Sequence, residues 1–594
     1  MSFLLFQGIL YINGLYQKVI IYNQHIGKAG VFMKMALPIG YENYKEIISK
    51  ELYYVDKTLI IKDIIDKNGK VNLFTRPRRF GKTLILSMLR TFFEKDIDVK
   101  GNVIDNSGFF DGMKIMQTGE KYVSKLGQYP VISLSLKSGK QPKFEMAYAS
   151  IVDEISKEFK RHAYILKSDK IFESEKVQFQ RIVDKNATDI EYAKALEFLS
   201  ACLTKVHEKN TIILIDEYDV PLENAHFAGF YDEMMGFIRS LFESALKTND
   251  NLEFAVVTGC LRISKESIFT GLNNLEIISI LNNDYAEYFG FTQSEVGDML
   301  TFYGLEHKLE EAKDWYNGYI FGNIQVYNPW SMINYVKNLC SDSEAFPKPY
   351  WSNTSSNSII RELIEAADEE TKREIENLIA GGSIEKPVHE EITYADIHTT
   401  KDNIWNFLFF TGYLKVIGQR FEVDTIYLMM QIPNIEIRYI YRNSIREWFA
   451  QRIKQTDFTG LYRDILEGNC AGMEEFIIGQ LSSSISYHDS AENFYHGYLV
   501  GVLSGFEGYA MESNKEHGDG RPDIVLRPHD PRKAVIIMEL KRAEKYAVME
   551  KLCDEALQQI EDRNYAADYL DEGYKEIIKY GICFCKKTCM VKKN

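Results

Sequence analysis

The length of 594 residues indicates three to four domains, since domains average roughly 150 residues. The 45% hydrophobic and 26% charged residues are typical of globular protein. Its net charge of −15, from 85 acidic and 70 basic residues, excludes a protein that coats nucleic acid with its whole surface, so any such contact must be local. The eight cysteines lack the paired spacing of a zinc site and favour a reducing cytoplasm.

The chain opens with an apolar run at residues 3–22 that raises the question of a membrane segment. Gln7, Asn13 and Lys18 interrupt this run. Neither a basic region before it nor a small-residue cleavage site after it marks a secretory signal. We therefore predict no membrane segment.

Residues 71–83 place a strand, a loop and a helix start in succession. Residues 71–75 indicate a short buried strand, and apolar residues recur at helical spacing after the loop. Gly81, Lys82 and Thr83 fill the last positions of a P-loop, in which backbone N–H groups and a lysine bind phosphates and a hydroxyl binds Mg²⁺. The pattern predicts an ATP site with Thr83 as a Mg²⁺ ligand.

This loop differs from the general P-loop pattern at its beginning. Arg76 stands where the pattern has its first glycine, and Pro77, which fixes one backbone angle, is expected to shape the turn instead. Taken alone, the last three residues also fit a basic, solvated turn that leads into an ordinary helix.

A second polar site follows four apolar residues at 212–215. Such a run is typical of a strand covered by helices on both faces, and ligands of α/β sheets bind beyond the carboxyl ends of strands. Asp216 is expected to hold Mg²⁺ through water, and Glu217 to polarise the attacking water. An acidic loop after a core strand is the alternative, which the earlier P-loop makes weaker.

Four long motifs carry a family resemblance: LPIG at 37–40, YVDKT at 54–58, RPRRFGKT at 76–83 and GCLRxxKESIFxGLNN at 259–274. Through them the stretch from Leu37 to about Leu281 resembles the predicted AAA-ATPase-like family of bacterial proteins. The family has RPRRFGKT as its own form of the phosphate loop. The resemblance implies that ATP is bound by Arg76, Pro77, Arg78, Arg79, Phe80, Gly81, Lys82 and Thr83.

Two more residues join the ATP site through this resemblance. Thr258 ends a predicted strand, where ATPases of this architecture place a polar residue that senses the γ-phosphate; a hydroxyl that satisfies a strand end is an equal alternative. Arg262 is expected to reach the phosphates or a neighbouring subunit, with a surface ion pair as an equal alternative. The sequence leaves open whether the subunits form a homo-oligomer.

Residues 282–440 contain no catalytic cluster but many aromatic residues, which we expect to pack in a core rather than to stack on bases. The sequences WYNGYIF at 315–321 and YNPW at 327–330 are interpreted as turns that join helices. The segment is therefore predicted to be a helical lid and connector.

The last part of the chain predicts the order αβββαβ, with helices at about 489–506 and 546–563 and strands at about 508–514, 522–527, 534–540 and 576–585. The turn 528–532 lies midway between Asp523 and Glu539, so a hairpin there places these carboxylates opposite each other. Lys541, two residues further on, is expected on the same face as Glu539.

Two carboxylates and a lysine on one strand face suit Mg²⁺-dependent phosphodiester hydrolysis. The carboxylates would hold the metal, and Lys541 would orient the water or stabilise charge on the phosphorus. A surface hairpin with an ion pair is the alternative. Against it, Glu539 ends the apolar run 534–538, where an unpaired carboxylate is costly.

This arrangement is similar to the PD-(D/E)XK nuclease superfamily, and the segment from about 441 resembles the variant that follows this type of ATPase. The resemblance also covers Glu492, His496 and Gln559. It implies that Glu492 is a further ligand of the nuclease Mg²⁺ and that Gln559 takes part in catalysis.

The predicted fold class is α/β. An N-terminal extension at 1–34, which we attribute to an upstream start because the resemblance begins near Leu37, precedes an AAA-like P-loop NTPase with a parallel sheet at 35–281. A helical lid and connector at 282–440 and a restriction-endonuclease-like αβββαβ domain at 441–594 follow.

The predicted function is a cytoplasmic ATPase fused to a Mg²⁺-dependent nuclease, with ATP and Mg²⁺ as cofactors and DNA or RNA as the partner. The alternative is a nucleotide-switched regulatory or mobile-element module, whose nuclease fold binds nucleic acid or another partner without cutting. The presence of Asp523, Glu539 and Lys541 together favours the enzyme.

Overall fold

The computed structural model describes residues 35–98, 100–247, 249–261, 274–353, 360, 368–388, 400–483, 492–513 and 520–594. Two compact units are formed. The first extends to residue 355 and includes 386–428 and 433–436; the second consists of 356–385, 429–432 and 437–594. The N-terminal extension and Arg262 lie outside the described residues.

The helices are, in chain order, α1 (Tyr44–Ser49), α2 (Leu59–Lys67), α3 (Lys82–Phe93), α4 (Glu120–Val123), α5 (Phe144–Arg161), α6 (Glu173–Val183), α7 (Asp189–Ala193), α8 (Ala195–His207), α9 (Val220–Ala228), α10 (Tyr231–Phe242), α11 (Gln293–Tyr303), α12 (Leu309–Tyr316), α13 (Pro329–Ser341), α14 (Glu369–Ile379), α15 (Lys401–Phe410), α16 (Ile435–Gln455), α17 (Thr459–Glu467), α18 (Cys470–Ser483), α19 (Glu492–Leu503), α20 (Met549–Asp562) and α21 (Ala567–Asp571).

The strands are β1 (Val71–Thr75), β2 (Asp96–Ile97), β3 (Val103–Ile104), β4 (Val131–Ser135), β5 (Thr211–Asp216), β6 (Leu252–Gly259), β7 (Leu275–Ile278), β8 (Phe291–Thr292), β9 (Tyr319–Phe321), β10 (Ile324–Tyr327), β11 (Ile384–Pro387), β12 (Lys415–Glu422), β13 (Thr425–Gln431), β14 (Tyr509–Ser513), β15 (Ile524–Pro528), β16 (Val535–Arg542), β17 (Ile577–Cys585) and β18 (Thr588–Lys593).

The first unit is organised around a five-stranded parallel sheet in the order β4-β5-β6-β1-β7. Strands β1 and β5 are buried at every position, because helices cover both faces. Strand β6 lies between them. The carboxyl ends of all five strands therefore meet at one edge of the sheet, which is where ligands of such folds bind.

The prediction that residues 315–321 and 327–330 are turns that join helices is wrong, since residues 319–321 form β9 and Tyr327 belongs to β10. Strands β9 and β10 make a hairpin in which Phe321 pairs with Ile324, so that Gly322 and Asn323 form a two-residue loop. Gly322 adopts φ +53°, which such a loop requires and glycine allows. In the sequence, this hairpin was indicated by the Gly-Asn pair between apolar residues.

The expectation that the aromatic residues of this segment pack in a core is confirmed. Five of them are almost fully buried: Tyr316, Tyr319, Phe321, Tyr327 and Trp351. The rings of Tyr319 and Phe321 lie 4.9 and 5.2 Å from the ring of Phe80 in the predicted phosphate loop. The lid segment therefore packs directly against that loop.

The second unit contains a mixed sheet in the order β14-β15-β16-β17-β18. The pair β16 and β17 is parallel, and the other neighbouring pairs are antiparallel. The order αβββαβ predicted for this domain is confirmed by α19, β14 to β16, α20 and β17. Strand β18, which carries Cys589, was not predicted.

Alternation along the strands assigns each side chain of this sheet to a face. On β16, the even-numbered residues Met538 and Leu540 pack with α17, α18 and α19. The odd-numbered residues of β16, such as Ile537, pack with Ile560 of α20. Residues 539 and 541 therefore belong to the face that α20 covers.

A buried carboxyl group lies where α16 begins in the first unit. Glu436 is fully buried and accepts hydrogen bonds from the hydroxyl of Ser331, at 2.9 and 3.0 Å, and from the backbone N–H of Trp351, at 2.9 Å. Burial raises the pKa of Glu436 and the hydrogen bonds lower it; burial has the larger effect, and the pKa is about 7.

This carboxyl is expected to make stability depend on pH. Between its ordinary value of 4.5 and about 7, the native protein keeps a proton that the unfolded chain has lost. The contribution is therefore fully present below pH 4.5 and falls, by roughly 1–3 kcal/mol, as pH rises to about 7. Glu436→Gln should flatten this part of the pH dependence of thermal unfolding. The same change at exposed Glu306 serves as control, and parallel curves for wild type and Glu436→Gln would contradict the assignment.

Candidate active sites

The predicted phosphate loop connects the end of β1 to the start of α3. Arg79 and Gly81 adopt left-handed backbone conformations, with φ of +69° and +85°. Left-handed residues of this kind build concave nests of backbone N–H groups, and the 12-residue helix α3 adds its N-terminus at the same place. The loop therefore has the backbone geometry of an anion site.

Lys82 places its ammonium group inside this loop. Its Nζ donates to the carbonyl oxygens of Arg76 and Pro77 at 2.8 and 2.9 Å, and the residue is 6% exposed. Within the described part of the chain no carboxylate forms an ion pair with it. The positive charge is therefore available to an anionic ligand of the loop.

The predicted magnesium ligands of the ATP site lie in contact with each other. Thr83 Oγ1 donates to Asp216 Oδ2 at 2.7 Å, and Thr258 Oγ1 donates to Asp216 Oδ1 at 2.5 Å. A hydroxyl beside a carboxylate is the oxygen set that Mg²⁺ takes in nucleotide sites. These residues fit a nucleotide-bound Mg²⁺.

The hydroxyl of Thr258 donates its proton in a hydrogen bond to Asp216. Thr258 is fully buried at the end of β6, and its bond to Asp216 links two neighbouring strands. This geometry favours the strand-end alternative, in which Thr258 acts by orienting Asp216. Contact with the γ-phosphate stays a prediction.

Glu217 follows Asp216 in a strained backbone conformation, with φ of +52°. Burial, and next the charge of Asp216, raise the pKa of Glu217. Non-glycine residues in this conformation concentrate at functional sites, because the surrounding structure must hold them there. Its position beside Asp216 agrees with the predicted role toward water.

Asp219 is a buried carboxylate of this site that sequence reasoning missed. Its Oδ2 accepts from the backbone N–H groups of Cys260 and Leu261 at 2.7 and 3.1 Å, and burial raises its pKa. The contact joins the residues after β5 to those after β6. The feature of the sequence that could have identified Asp219 is its place as the second aspartate of DEYD, directly after the apolar strand.

The arginines of the loop divide into one buried and two more exposed side chains. Arg76 is fully buried, donates to the carbonyls of Thr75 and Ile278 at 2.9 and 2.8 Å, and has its pKa lowered to about 9 by burial. Arg78 pairs with Glu223. The structure thus places the Arg76 guanidinium in the protein interior, while its carbonyl faces Lys82.

Arg79, Pro77 and Phe80 complete the loop. The Arg79 guanidinium lies 4.6 Å from the ring centre of Trp330. Pro77 is buried, and Phe80 is buried against the hairpin of β9 and β10. Arg79 and Phe80 are thus held by packing against the lid segment.

The nuclease-like residues assemble in the second unit. Ile524 pairs with Met538, which places Asp523 opposite Glu539 and confirms the predicted register. Asp523 Oδ2 accepts from the backbone N–H of Leu540 at 2.8 Å. The two carboxylates therefore lie at the same end of neighbouring strands.

Three side chains meet on the face covered by α20. Gln559 Nε2 donates to Glu539 Oε1, Lys541 Nζ donates to Gln559 Oε1 at 2.6 Å, and Lys541 Nζ lies 3.4 Å from Glu539 Oε1. The amide of Gln559 thus connects the cation and the anion that the sequence predicted on one face.

Glu539 keeps one carboxylate oxygen for a ligand. The residue is 2% exposed, and its buried Oε2 has no hydrogen-bond partner among the described residues. Burial, and next the charge of Asp523, raise its pKa to about 7. An unpartnered buried carboxylate beside a second one is costly, and a divalent cation would remove that cost. The residues fit a metal ion.

Few side chains at this place are arranged to hold a metal ion. Among the residues that the structure describes, no three His, Cys, Asp or Glu side chains converge as a metal-binding group. The side chain of Glu492, the predicted further ligand, lies outside that description. His496, on the same helix, contacts the backbone oxygen of Asp523 and Ser513 Oγ, both at 3.0 Å.

Comparison with known proteins finds family matches for two segments of the chain. The family described as "Predicted AAA-ATPase" matches residues 38–269, and the PD-(D/E)XK nuclease superfamily matches residues 490–594. An uncharacterized protein in the vnfD 5′ region of Azotobacter chroococcum is 25% identical over 554 residues, which cover 90% of this chain and 94% of that protein.

No helix in the described part of the chain is long and apolar enough to cross a membrane. The phosphate loop and the Asp216 site lie within the first matched segment, and Asp523, Glu539, Lys541 and Gln559 lie within the second. The chain thus joins a predicted AAA-ATPase-like domain to a C-terminal PD-(D/E)XK nuclease superfamily domain.

Proposed function

We propose that the protein binds and hydrolyses ATP with Mg²⁺ in its first unit and cleaves nucleic acid with Mg²⁺ in its C-terminal domain. The observation that carries the nuclease proposal is the meeting of Asp523, Glu539, Lys541 and Gln559 on one sheet face, with one Glu539 oxygen unpartnered. The number and spacing of the eight cysteines favour a reducing cytoplasm as its location.

At the ATP site each residue would act through its position. Lys82 and the backbone N–H groups of the loop would bind the phosphates, and Thr83 with Asp216 would hold the metal. Thr258 would keep Asp216 oriented through its hydrogen bond. Glu217 would orient and polarise the attacking water.

At the nuclease site Asp523 and Glu539 would hold Mg²⁺, which supplies a Lewis acid for the phosphodiester. Lys541, fixed by the Gln559 oxygen, would orient the attacking water or stabilise negative charge on the phosphorus. Gln559 would keep both neighbours in position, because its amide donates to one and accepts from the other.

The second candidate is a nucleotide-switched binding module that holds nucleic acid or a partner without cutting. Wild-type protein should be incubated with labelled DNA and RNA, single- and double-stranded, with Mg²⁺ or Mn²⁺ and with or without ATP. Metal-dependent cleavage is expected. Tight binding without cleavage in all combinations would replace the nuclease by the binding module.

Glu217→Gln is expected to leave ATP affinity nearly unchanged and to slow hydrolysis by at least about 100-fold, since the amide cannot polarise water as a carboxylate does. Binding of a fluorescent ATP analogue and release of phosphate should be measured on the same preparation. The roles would be misassigned if the variant lost affinity while turnover per bound ATP was kept.

A further inference from the structure

The acidic pair of Asp523 and Glu539 lies at one end of the nuclease-like sheet, together with two segments that leave the sheet there. Strand β15 begins directly after Asp523, its antiparallel neighbour β16 ends at Arg542, and β17, parallel to β16, ends at Cys585. The segment after β16 and the turn between β17 and β18 therefore leave the sheet at the same end as the proposed catalytic residues.

Residues 544–548 are exposed at every position, and they lie between two buried residues, Ala543 and Met549. Ala543 continues the pairing with β17, since its N–H donates to Phe584 O at 2.8 Å. Met549 is fully buried at the start of α20. The segment is thus a short, anchored projection from the active-site end of the sheet.

Cations without acidic partners gather at this end. Arg542, Lys545 and Lys586 are exposed, and none of them forms an ion pair with an acidic side chain in the described part of the chain. Lys586 occupies the turn between β17 and β18 with φ of +55°, and its carbonyl accepts from Tyr495 OH at 2.8 Å. In a chain of net charge −15, three such cations at the end of the sheet that carries Asp523 and Glu539 favour an anionic ligand.

An aromatic ring and an aliphatic side chain accompany the cations. Tyr546 is 66% exposed and Val548 is 42% exposed. Glu544 is the one acidic residue in the sequence 541–548. Exposed aromatic rings between phosphate-binding cations are the means by which proteins bind single strands, because only unpaired bases offer a free face for stacking.

We propose that Arg542, Lys545, Tyr546 and Lys586 form a binding surface for single-stranded nucleic acid at the end of the sheet that carries the nuclease site. The cations contact phosphates, and the Tyr546 ring stacks on one base. This inference rests on the proposed nuclease function, and it names the substrate class as a single strand or an unpaired region rather than a duplex.

The test measures binding separately from cutting, on the full chain carrying Glu539→Gln. Fluorescence anisotropy of labelled single-stranded and duplex oligonucleotides, DNA and RNA, gives affinities as a function of salt. We expect tighter binding of single strands. Tyr546→Ala should weaken it about tenfold, since stacking of one base contributes about this much, and Tyr546→Phe should restore it because the ring is kept.

Neighbouring lysines offer a matched pair for the phosphate contacts. Lys586→Ala should lower the slope of log affinity against log salt by about 0.7 for single strands, the value for one lost contact. Lys587, the next residue, is ion-paired with Glu376 at 3.4 Å, so Lys587→Ala should leave the slope unchanged. Circular dichroism checks that each variant is folded.

The outcomes separate the two proposals. Preference for duplex, or equal single-strand binding by wild type and Tyr546→Ala, overturns the binding surface and leaves the nuclease function standing if wild type still cuts. Neither binding nor cleavage of any nucleic acid by the wild-type chain overturns both.

Discussion

Asp523→Ala and Glu539→Ala are each expected to remove metal-dependent cleavage. The loss should be at least about 100-fold, because the Lewis-acid contribution of the metal is several kcal/mol and each 1.4 kcal/mol corresponds to about tenfold in rate. One remaining carboxylate binds Mg²⁺ poorly, so the double variant should be no worse than either single one. Cleavage rates at saturating substrate give this comparison directly.

The same hairpin supplies a control for these variants. Asp530 lies in the turn between β15 and β16 and pairs with Arg532 at 2.8 Å on the surface, so Asp530→Ala should cut like the wild type. Lys541→Ala should keep Mn²⁺ binding, measured by electron paramagnetic resonance, while cleavage is lost. Additive losses in the double variant, or full activity of any of the site variants, would contradict the two-carboxylate site.

The second large effect is expected at the ATP site. Lys82→Ala should weaken ATP binding by about 100-fold or more, because a charge-assisted contact to phosphate contributes about 1.5–3 kcal/mol and the carbonyls of Arg76 and Pro77 also lose their donor. Titration with a fluorescent ATP analogue measures the affinity. The C-terminal domain of the variant should stay folded.

Lys70 is a matched control at the opposite end of the same strand. Its Nζ also donates to two backbone carbonyls, those of Leu252 and Glu253, but it lies just before β1 rather than after it. Lys70→Ala should bind ATP like the wild type. Unchanged affinity in Lys82→Ala, or equal losses in both variants, would show that the phosphate loop is not the nucleotide site.

Local patterns of apolar residues predicted the strands and helices that bury a face in the core. The register of Asp523 against Glu539 followed from the position of one turn, since the turn 528–532 lies midway between the two residues. The hairpin of β9 and β10 was missed because the bulky aromatic residues around Gly322 suit helix and strand packing equally. Strand β18 was missed because its residues, Thr588–Lys593, mix polar and apolar types without strong alternation.

The sequence indicated which residues form the candidate sites, but it did not indicate all the contacts that their side chains make. Gly81, Lys82, Thr83 and Asp216 lie as their motifs indicate, because strand order brings the ends of β1 and β5 to one edge. The burial of the Arg76 side chain could not be foreseen, since it depends on β7 and on the rings of Phe289 and Phe321, which are distant in sequence.

The placement of Gln559 on α20 also determines when the proposed nuclease site is completed during synthesis. Strand β16 pairs with β17, and Lys541 is held by the amide of Gln559. Strand β17 and Gln559 both leave the ribosome after the ATPase-like domain is complete. A nascent chain that ends before residue 549 has both carboxylates but lacks the helix that positions the lysine. Unfinished chains are therefore expected to be unable to cut nucleic acid, including the messenger that encodes them.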